Sequence, residues 1–174
     1  NVRKELGIRT VFNILGPLAN PAKANMQLLG VYEEALVLPM ASVLQSLGVK
    51  KGMVVYAYDR LDELSVSSDT LVCEFDSKEK RTYKVKPEDF GLERYEKDEL
   101  RGGEALENAN ITRNILSGKE VGAKRSVVVI NAGAALYVAG KVNSVKEGVE
   151  LAQELIDSGK AFEKLKDFIK YTNI

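Results

Sequence analysis

Two adjacent carboxylates, Asp62 and Glu63, lie in a polar segment that directly follows the apolar run 53–58. That run is short, β-branched and aromatic, which predicts a buried strand. Open α/β sheets bind ligands where a strand ends and its loop begins. Carboxylate oxygens suit Mg²⁺, which combines one or two carboxylates with waters and substrate phosphates. The pair is therefore a candidate magnesium site, although isolated acidic pairs in loops are more often simply solvated.

A second group that could bind a ligand is found near the beginning of the chain, at Arg3 and Gly16-Pro17. Arginine binds a planar carboxylate through two parallel hydrogen bonds. Glycine lets the backbone approach a ligand, and a following proline fixes its direction. These residues are compatible with a site for a small planar acid. A surface arginine beside a structural turn is the alternative interpretation.

The chain contains no histidine and a single cysteine, Cys73. The absence of histidine excludes Ser-His-Asp and Cys-His nucleophile systems, the commonest general base and the commonest zinc ligand. Cys73 belongs to an apolar run and is expected to be a buried thiol. A lone cysteine cannot form an internal disulfide, which suits a reducing cytoplasm.

Charge and hydropathy exclude two classes of partner. Lys and Arg number 25 and Asp and Glu number 25, so the net charge is zero. A neutral chain gives no electrostatic argument for nucleic acid or an anionic membrane. No apolar run approaches the roughly 20 residues of a membrane span. We therefore expect neither nucleic acid nor membrane as a partner.

The elements that must position these residues alternate between strand and helix, which predicts an α/β domain. Strands are expected at 27–32 and 53–58, a hairpin at 70–85, and helices at 38–47, 104–116 and from 145 onward, where Ser144 and Glu147 have capping-box spacing. The run 127–130 suits a strand by propensity, whereas 131–139 favours a helix. The expected fold is a mixed, mostly parallel sheet flanked by helices.

The segment Arg9-Thr-Val-Phe-Asn-Ile-Leu-Gly-Pro-Leu-Ala-Asn-Pro21 resembles the signature of anthranilate phosphoribosyltransferases. The similarity continues in order through 27–31, 61–65, 87–91, 102–105, 108–109, 131–132 and 148–161, and so covers nearly the whole chain. This resemblance implies that residues 1–174 are the C-terminal part of a nucleoside phosphorylase/phosphoribosyltransferase-type α/β domain. The N-terminal helical region and the donor-binding half would be absent, and the full-length protein would be a homodimer.

The same resemblance implies an activity: Mg²⁺-dependent transfer of phosphoribose from phosphoribosyl diphosphate to the amine of anthranilate, in tryptophan biosynthesis. Arg3 would bind the anthranilate carboxylate, and Gly16 and Pro17 would line the path by which anthranilate enters. Asp62 and Glu63 would hold a Mg²⁺ that also contacts the diphosphate. Such chemistry needs positioning and charge neutralisation rather than a protein nucleophile. We therefore expect no catalytic acid or base.

Two departures from the family pattern lie beside the acidic pair. Tyr56-Ala57 replaces a His-Gly dipeptide, and Arg60 replaces a glycine. Loss of glycine can change the conformation of a loop, and Arg60 could pair with Asp62 or Glu63 in competition with a metal. Neither the glycine-rich phosphate loop nor the Lys-His-Gly-Asn-type segment of the family is found, so the chain alone is expected to be inactive.

Two alternatives to the transferase remain. A non-catalytic relative or binding module is compatible with the altered segment 56–60, because resemblance of fold does not guarantee activity. A pyrimidine nucleoside phosphorylase shares the broader architecture. It is disfavoured because Leu18-Ala-Asn-Pro-Ala-Lys23 stands where that family has a Ser-Ile-Met-Ser-Lys-Lys-like segment.

Overall fold

A four-stranded mixed sheet forms the centre of the structure, a computed structural model that describes residues 12–172. Its order is β1 (Met26–Gly30), β2 (Lys51–Ala57), β3 (Thr70–Asp76) and β4 (Lys80–Val85). The helices are α1 (Phe12–Leu18), α2 (Val37–Ser46), α3 (Ala105–Leu116), α4 (Ala123–Val138), α5 (Val145–Asp157) and α6 (Lys160–Thr172). Short 3₁₀ turns occupy Glu34–Leu36, Pro87–Phe90 and Lys97–Leu100.

Strand direction differs from the expectation in one respect. The mixed α/β architecture is confirmed, but a predominance of parallel pairing is not found among residues 12–172. Strands β1 and β2 pair in parallel, whereas β2–β3 and β3–β4 are antiparallel. The physical reason is the type of connection: only β1 and β2 are joined through a helix, α2, and parallel strands usually need such a crossover.

The burial of each strand agrees with its position in the sheet. Most of β2 is buried, as expected of a strand covered on both faces, and β4 is largely exposed at the edge. The charged side chains of β4 suit an edge strand, because they oppose pairing with another chain. On one face α2 packs against residues that include Leu29, Val54, Cys73 and Phe75. On the other, α4 and α5 pack against Met53, Val55 and Val72.

Helix α4 settles the ambiguity left by its sequence, because residues 127–130 lie within it rather than in a strand. It packs closely on α5: a Cβ added at Gly148 would lie 2.2 Å from the carbonyl oxygen of Gly133. The expected hairpin and the start of α5 are confirmed. The Ser144 hydroxyl accepts the N–H of Glu147 at 3.1 Å, and the Glu147 carboxylate accepts the N–H of Asn143.

Candidate functional site

Asp62 and Glu63 lie in the loop between β2 and β3, at the carboxyl end of β2, where the strand pattern predicted them. The Asp62 side chain is exposed, and that of Glu63 is half-buried. The carboxyl end of β1 reaches the same edge of the sheet because β1 and β2 are parallel. The acidic pair thus lies at the carboxyl ends of two parallel strands, the edge at which open α/β sheets bind ligands.

Gly30, the last residue of β1, lies directly against the backbone of the acidic pair. A Cβ built on Gly30 would lie 1.5 Å from the carbonyl oxygen of Asp62 and 2.2 Å from its carbonyl carbon. No side chain can occupy that space while the loop keeps its position. Gly30 therefore permits the end of β1 and the acidic pair to touch.

The chain beside the pair is also held by Asn131 of α4. The Oδ1 atom of Asn131 accepts the N–H of Leu64 at 2.9 Å, and its Nδ2 donates to the carbonyl of Leu64 at 2.8 Å. Nδ2 also donates to the carbonyl of Val127, one turn earlier in the helix, at 2.9 Å. A single half-buried amide thus fastens the residue after Glu63 to the helix layer.

Asp59 anchors the beginning of the same loop. Its carboxylate accepts hydrogen bonds from the hydroxyls of Ser65 (2.7 Å) and Ser67, and from the N–H of Leu61 at 3.3 Å. Burial opposes ionisation of Asp59, but these hydrogen bonds outweigh it and lower its pKa. The hydrogen bonds of the Asp59 carboxylate therefore stabilise the conformation of this loop.

The electrostatics of the site favour a cation. Burial raises the pKa of Glu63, and the nearby charges of Asp62 and Asp59 raise it further. A divalent ion would relieve that repulsion. Within residues 12–172, no three His, Cys, Asp or Glu side chains cluster closely enough to hold a metal by themselves. The donor set fits Mg²⁺, which commonly completes its shell with waters and substrate phosphate oxygens.

Both departures from the family pattern have a structural outcome. Ala57 is fully buried and pairs with Thr70 as an ordinary strand residue. Arg60 adopts a φ of 69°, the left-handed conformation that glycine favours, and its N–H donates to the carbonyl of Ala57 at 2.8 Å. The loop therefore makes a left-handed turn at a residue other than glycine.

The structure does not support a competition of Arg60 with a metal. Its side chain is exposed, and none of the ion pairs in the described part of the chain joins Arg60 to Asp62 or Glu63. Both carboxylates therefore remain available for a cation.

Gly16 and Pro17 lie in α1, whose last turns approach β1. The carbonyl of Pro17 accepts a hydrogen bond from Nε2 of Gln27 at 3.3 Å, and Pro17 also lines a small cavity with Gly30. The structure thus brings Pro17 to one side of Gly30 and Asp62 to another. Among residues 12–172, a Cβ at Gly16 would meet nothing within 4 Å. Arg3 lies outside the described residues.

A separate polar cluster ties the far end of α4 to the sheet. The buried carboxylate of Glu74 accepts hydrogen bonds from the hydroxyls of Tyr137 (2.5 Å) and Tyr83 (2.9 Å), and Arg81 pairs with it at 2.8 Å. Lys51 donates to the carbonyl of Tyr137 at 2.9 Å and lies 3.7 Å from the centre of its ring. Helix α4 is therefore fixed at both Asn131 and Tyr137.

Sequence reasoning found the acidic pair but assigned no role to the residues that hold it. The available signals were a polar amide in the middle of the apolar helix α4 and a glycine at the end of an apolar strand. Neither signal identifies its partner, because Gly30 meets Asp62 and Asn131 meets Leu64 only in the folded chain.

Comparison with known proteins agrees with the resemblance drawn from the motifs. Residues 1–162 match the family model described as "Glycosyl transferase family, a/b domain". The chain is 57% identical over 172 residues to the anthranilate phosphoribosyltransferase of Methanobrevibacter smithii, covering 99% of this chain and 51% of that protein. It is 52% identical to the enzyme of the same name from Petrotoga mobilis, covering 98% of this chain and 49% of that protein.

Solved structures show the same similarity. Anthranilate phosphoribosyltransferase from Thermus thermophilus superposes with a TM-score of 0.90 at 42% identity, covering 99% of this chain and 51% of that one. The Saccharomyces cerevisiae enzyme in complex with PRPP and Mg gives 0.85 at 33% identity, covering 97% and 49%. The chain thus spans about half the length of the relatives it matches.

No helix within the described residues is long and apolar enough to cross a membrane.

The resemblance inferred from the sequence motifs is confirmed by the family match and by these relatives. This chain belongs to the glycosyl transferase family, whose a/b domain model matches residues 1–162.

Proposed function

We propose that the protein containing this chain transfers phosphoribose from phosphoribosyl diphosphate to the amine of anthranilate, in tryptophan biosynthesis and with Mg²⁺. The observation that carries the proposal is the acidic pair Asp62-Glu63 at the carboxyl end of β2, where Gly30 contacts Asp62 and Asn131 holds the adjacent Leu64. That arrangement suits the binding of a phosphate-bound cation. The relatives named above, all anthranilate phosphoribosyltransferases, support the choice of reaction.

The residues of this chain would contribute binding and orientation. Asp62 and Glu63 would hold Mg²⁺, which when bound neutralises the negative charge that grows on the diphosphate leaving group. Arg3 would orient anthranilate through its carboxylate, and Gly16 and Pro17 would line the path by which it enters. Placing an amine in line with the ribose carbon supplies much of the remaining rate enhancement. No acid or base on the chain is required.

The chain supplies only part of this site in our proposal. It spans about half the length of its relatives, and the segments expected to cradle the donor phosphates are not among its residues. We infer that these 174 residues are the C-terminal part of the catalytic domain and are inactive alone. The complete protein would be a homodimer in a reducing cytoplasm, which suits the buried free thiol of Cys73.

The test follows the loss of anthranilate fluorescence by the complete gene product, with phosphoribosyl diphosphate and Mg²⁺. Consumption that depends on both additions would support the proposal. No consumption at saturating concentrations would contradict it and favour a non-catalytic relative. The same assay on the isolated chain should show no turnover, and clear turnover there would contradict the proposed division of the site.

A further inference from the structure

The amide of Asn131 makes a two-point contact with the chain beside the acidic pair. It accepts the N–H of Leu64 and donates to the carbonyl of Leu64, in the manner of one strand pairing with another. Both distances, 2.9 Å and 2.8 Å, are those of well-formed hydrogen bonds. The contact joins residues that lie 67 positions apart, so it fixes the loop to the helix layer.

Backbone carbonyls accept the two shorter hydrogen bonds that this amide donates. An asparagine has two N–H donors, and the carbonyls of Leu64 and Val127 take them at 2.8 and 2.9 Å. A third contact, from Nδ2 to Oε2 of Glu63, is 3.4 Å long and correspondingly weak. Asn131 therefore makes only a weak hydrogen bond to the carboxylate of Glu63. Lone pairs on Glu63 remain free for a cation.

Gly30 limits the loop at a second point, because the carbonyl of Asp62 fills the space where a side chain would be. The backbone of 62–64 therefore contacts both a strand end and a helix, while both carboxylates stay available. Groups that orient metal ligands from behind commonly change metal affinity by about 10–100-fold when they are removed.

We propose that Asn131 is a positioning residue for the cation held by Asp62 and Glu63. The inference rests on the cation role given to that pair under the proposed function. Asn131 does not touch the cation or the substrates. It acts by fixing the backbone from which the two carboxylates project, so its loss weakens cation binding even where the protein stays folded.

The chain contains a matched control for this contact. Asn108 pairs with the backbone of Gly103 in the same two-point manner, accepting its N–H at 2.9 Å and donating to its carbonyl at 2.7 Å. Asn108 belongs to α3, and its contact serves another loop. Asn108→Ala therefore removes the same chemical contact without releasing the acidic pair.

The experiment titrates Mn²⁺ into the complete gene product, with and without inorganic diphosphate, and follows free Mn²⁺ by its electron paramagnetic resonance signal. Asn131→Ala is expected to weaken Mn²⁺ binding about tenfold, and Asn108→Ala to change it less than about twofold. Asn131→Gln keeps a polar group in the half-buried position but places it one methylene away, so it serves if the alanine variant does not fold. It too should bind Mn²⁺ more weakly. Amide exchange at Leu64 should accelerate in both Asn131 variants.

Each outcome distinguishes between the two proposals. Equal Mn²⁺ affinities in folded Asn131 and Asn108 variants would overturn the positioning role. No Mn²⁺ binding by the unchanged protein would overturn it together with the cation site. If Mn²⁺ binding weakens as expected but the unchanged protein consumes no anthranilate, the positioning role is supported and the transferase assignment fails.

Discussion

The Cα of Gly30 lies so close to the carbonyl of Asp62 that a methyl group on Gly30 would come within 1.5 Å of that oxygen. Gly30 and Asp62 are not neighbours in the sequence, and they do not pair with each other in the sheet. Their contact brings the carboxyl end of β1 to the loop that follows β2. The position of the acidic pair therefore depends on a residue 32 positions away that has no side chain.

Gly30→Ala should consequently displace the acidic pair. The clash is with backbone, which cannot move aside as a flexible side chain can, so we expect a loss of about 1–3 kcal/mol in the free energy of unfolding. Urea unfolding measures this change, and a Mg²⁺ titration of activity should show a higher requirement. Gly16→Ala is the control for stability, because a Cβ there meets no atom of the described part of the chain within 4 Å. Equal stability of the two variants would contradict the close contact.

Arg60 carries backbone strain that glycine would remove. Its φ of 69° costs a non-glycine residue about 1–2 kcal/mol, and the greater chain entropy of unfolded glycine offsets about 0.5–1 kcal/mol of the gain. Arg60→Gly should therefore be more stable than Arg60→Ala, which keeps the strain while losing the same side chain. Thermal unfolding of the two variants compares them directly.

The same pair of variants tests whether Arg60 interferes with the cation. No ion pair joins Arg60 to Asp62 or Glu63 in the described structure. Arg60→Ala should therefore leave the Mg²⁺ concentration for half-maximal activity within about twofold of the unchanged protein, because an exposed charge that forms no close ion pair contributes little energy. A marked fall in that concentration would mean that Arg60 does compete with the metal.

Local patterns predicted much of the fold, and tertiary contacts account for what they missed. The apolar run 53–58 and the cap at Ser144 were correctly interpreted because a strand and a helix start depend on neighbouring residues. The run 127–130 was ambiguous because β-branched residues suit a strand, whereas packing against α5 stabilises it as helix. The sheet directions depended on connections rather than on the strands themselves.

The candidate site likewise contains residues that local patterns identify and residues whose roles depend on tertiary contacts. Asp62 and Glu63 were recognisable by residue type, by their place after a strand and by resemblance to a family. The roles of Gly30, Asp59 and Asn131 depend on contacts with other parts of the chain, so no local pattern identifies them. For Arg3 the structure adds nothing, because that residue lies outside the described range.

Glu74 should make stability depend on pH. Burial opposes its ionisation, but hydrogen bonds from Tyr137, Arg81 and Tyr83 outweigh this and lower its pKa. A carboxyl whose folded pKa is depressed stabilises the fold above its unfolded pKa, and that stability is lost as the pH falls through the folded value. The unchanged protein should therefore lose stability on acidification below the ordinary range of glutamate.

Glu74→Gln removes this contribution. At neutral pH the substitution should lower the free energy of unfolding by about 1–3 kcal/mol, since the hydrogen bonds to a charged acceptor are weakened. The free energy of unfolding of the variant should also fall less steeply with acidification. Glu93→Gln, an exposed site, removes an equal charge as the control. Urea unfolding between neutral and acidic pH gives both slopes. Parallel slopes for Glu74→Gln and the control would show that Glu74 is not the responsible group.

The acidic pair provides the most direct test of the cation site. Asp62→Asn and Glu63→Gln each remove one of the two charges expected to bind Mg²⁺, and a charge at contact distance from a divalent ion contributes enough energy for a change on the order of tenfold or more. Each variant should therefore need at least about tenfold more Mg²⁺ for half-maximal activity. The KM for anthranilate at saturating Mg²⁺ should change little, because the pair is assigned to the diphosphate side. Glu93→Gln again serves as the matched loss of charge. If the Mg²⁺ requirement of both variants equals that of Glu93→Gln, Asp62 and Glu63 are a solvated acidic pair and the cation must bind elsewhere.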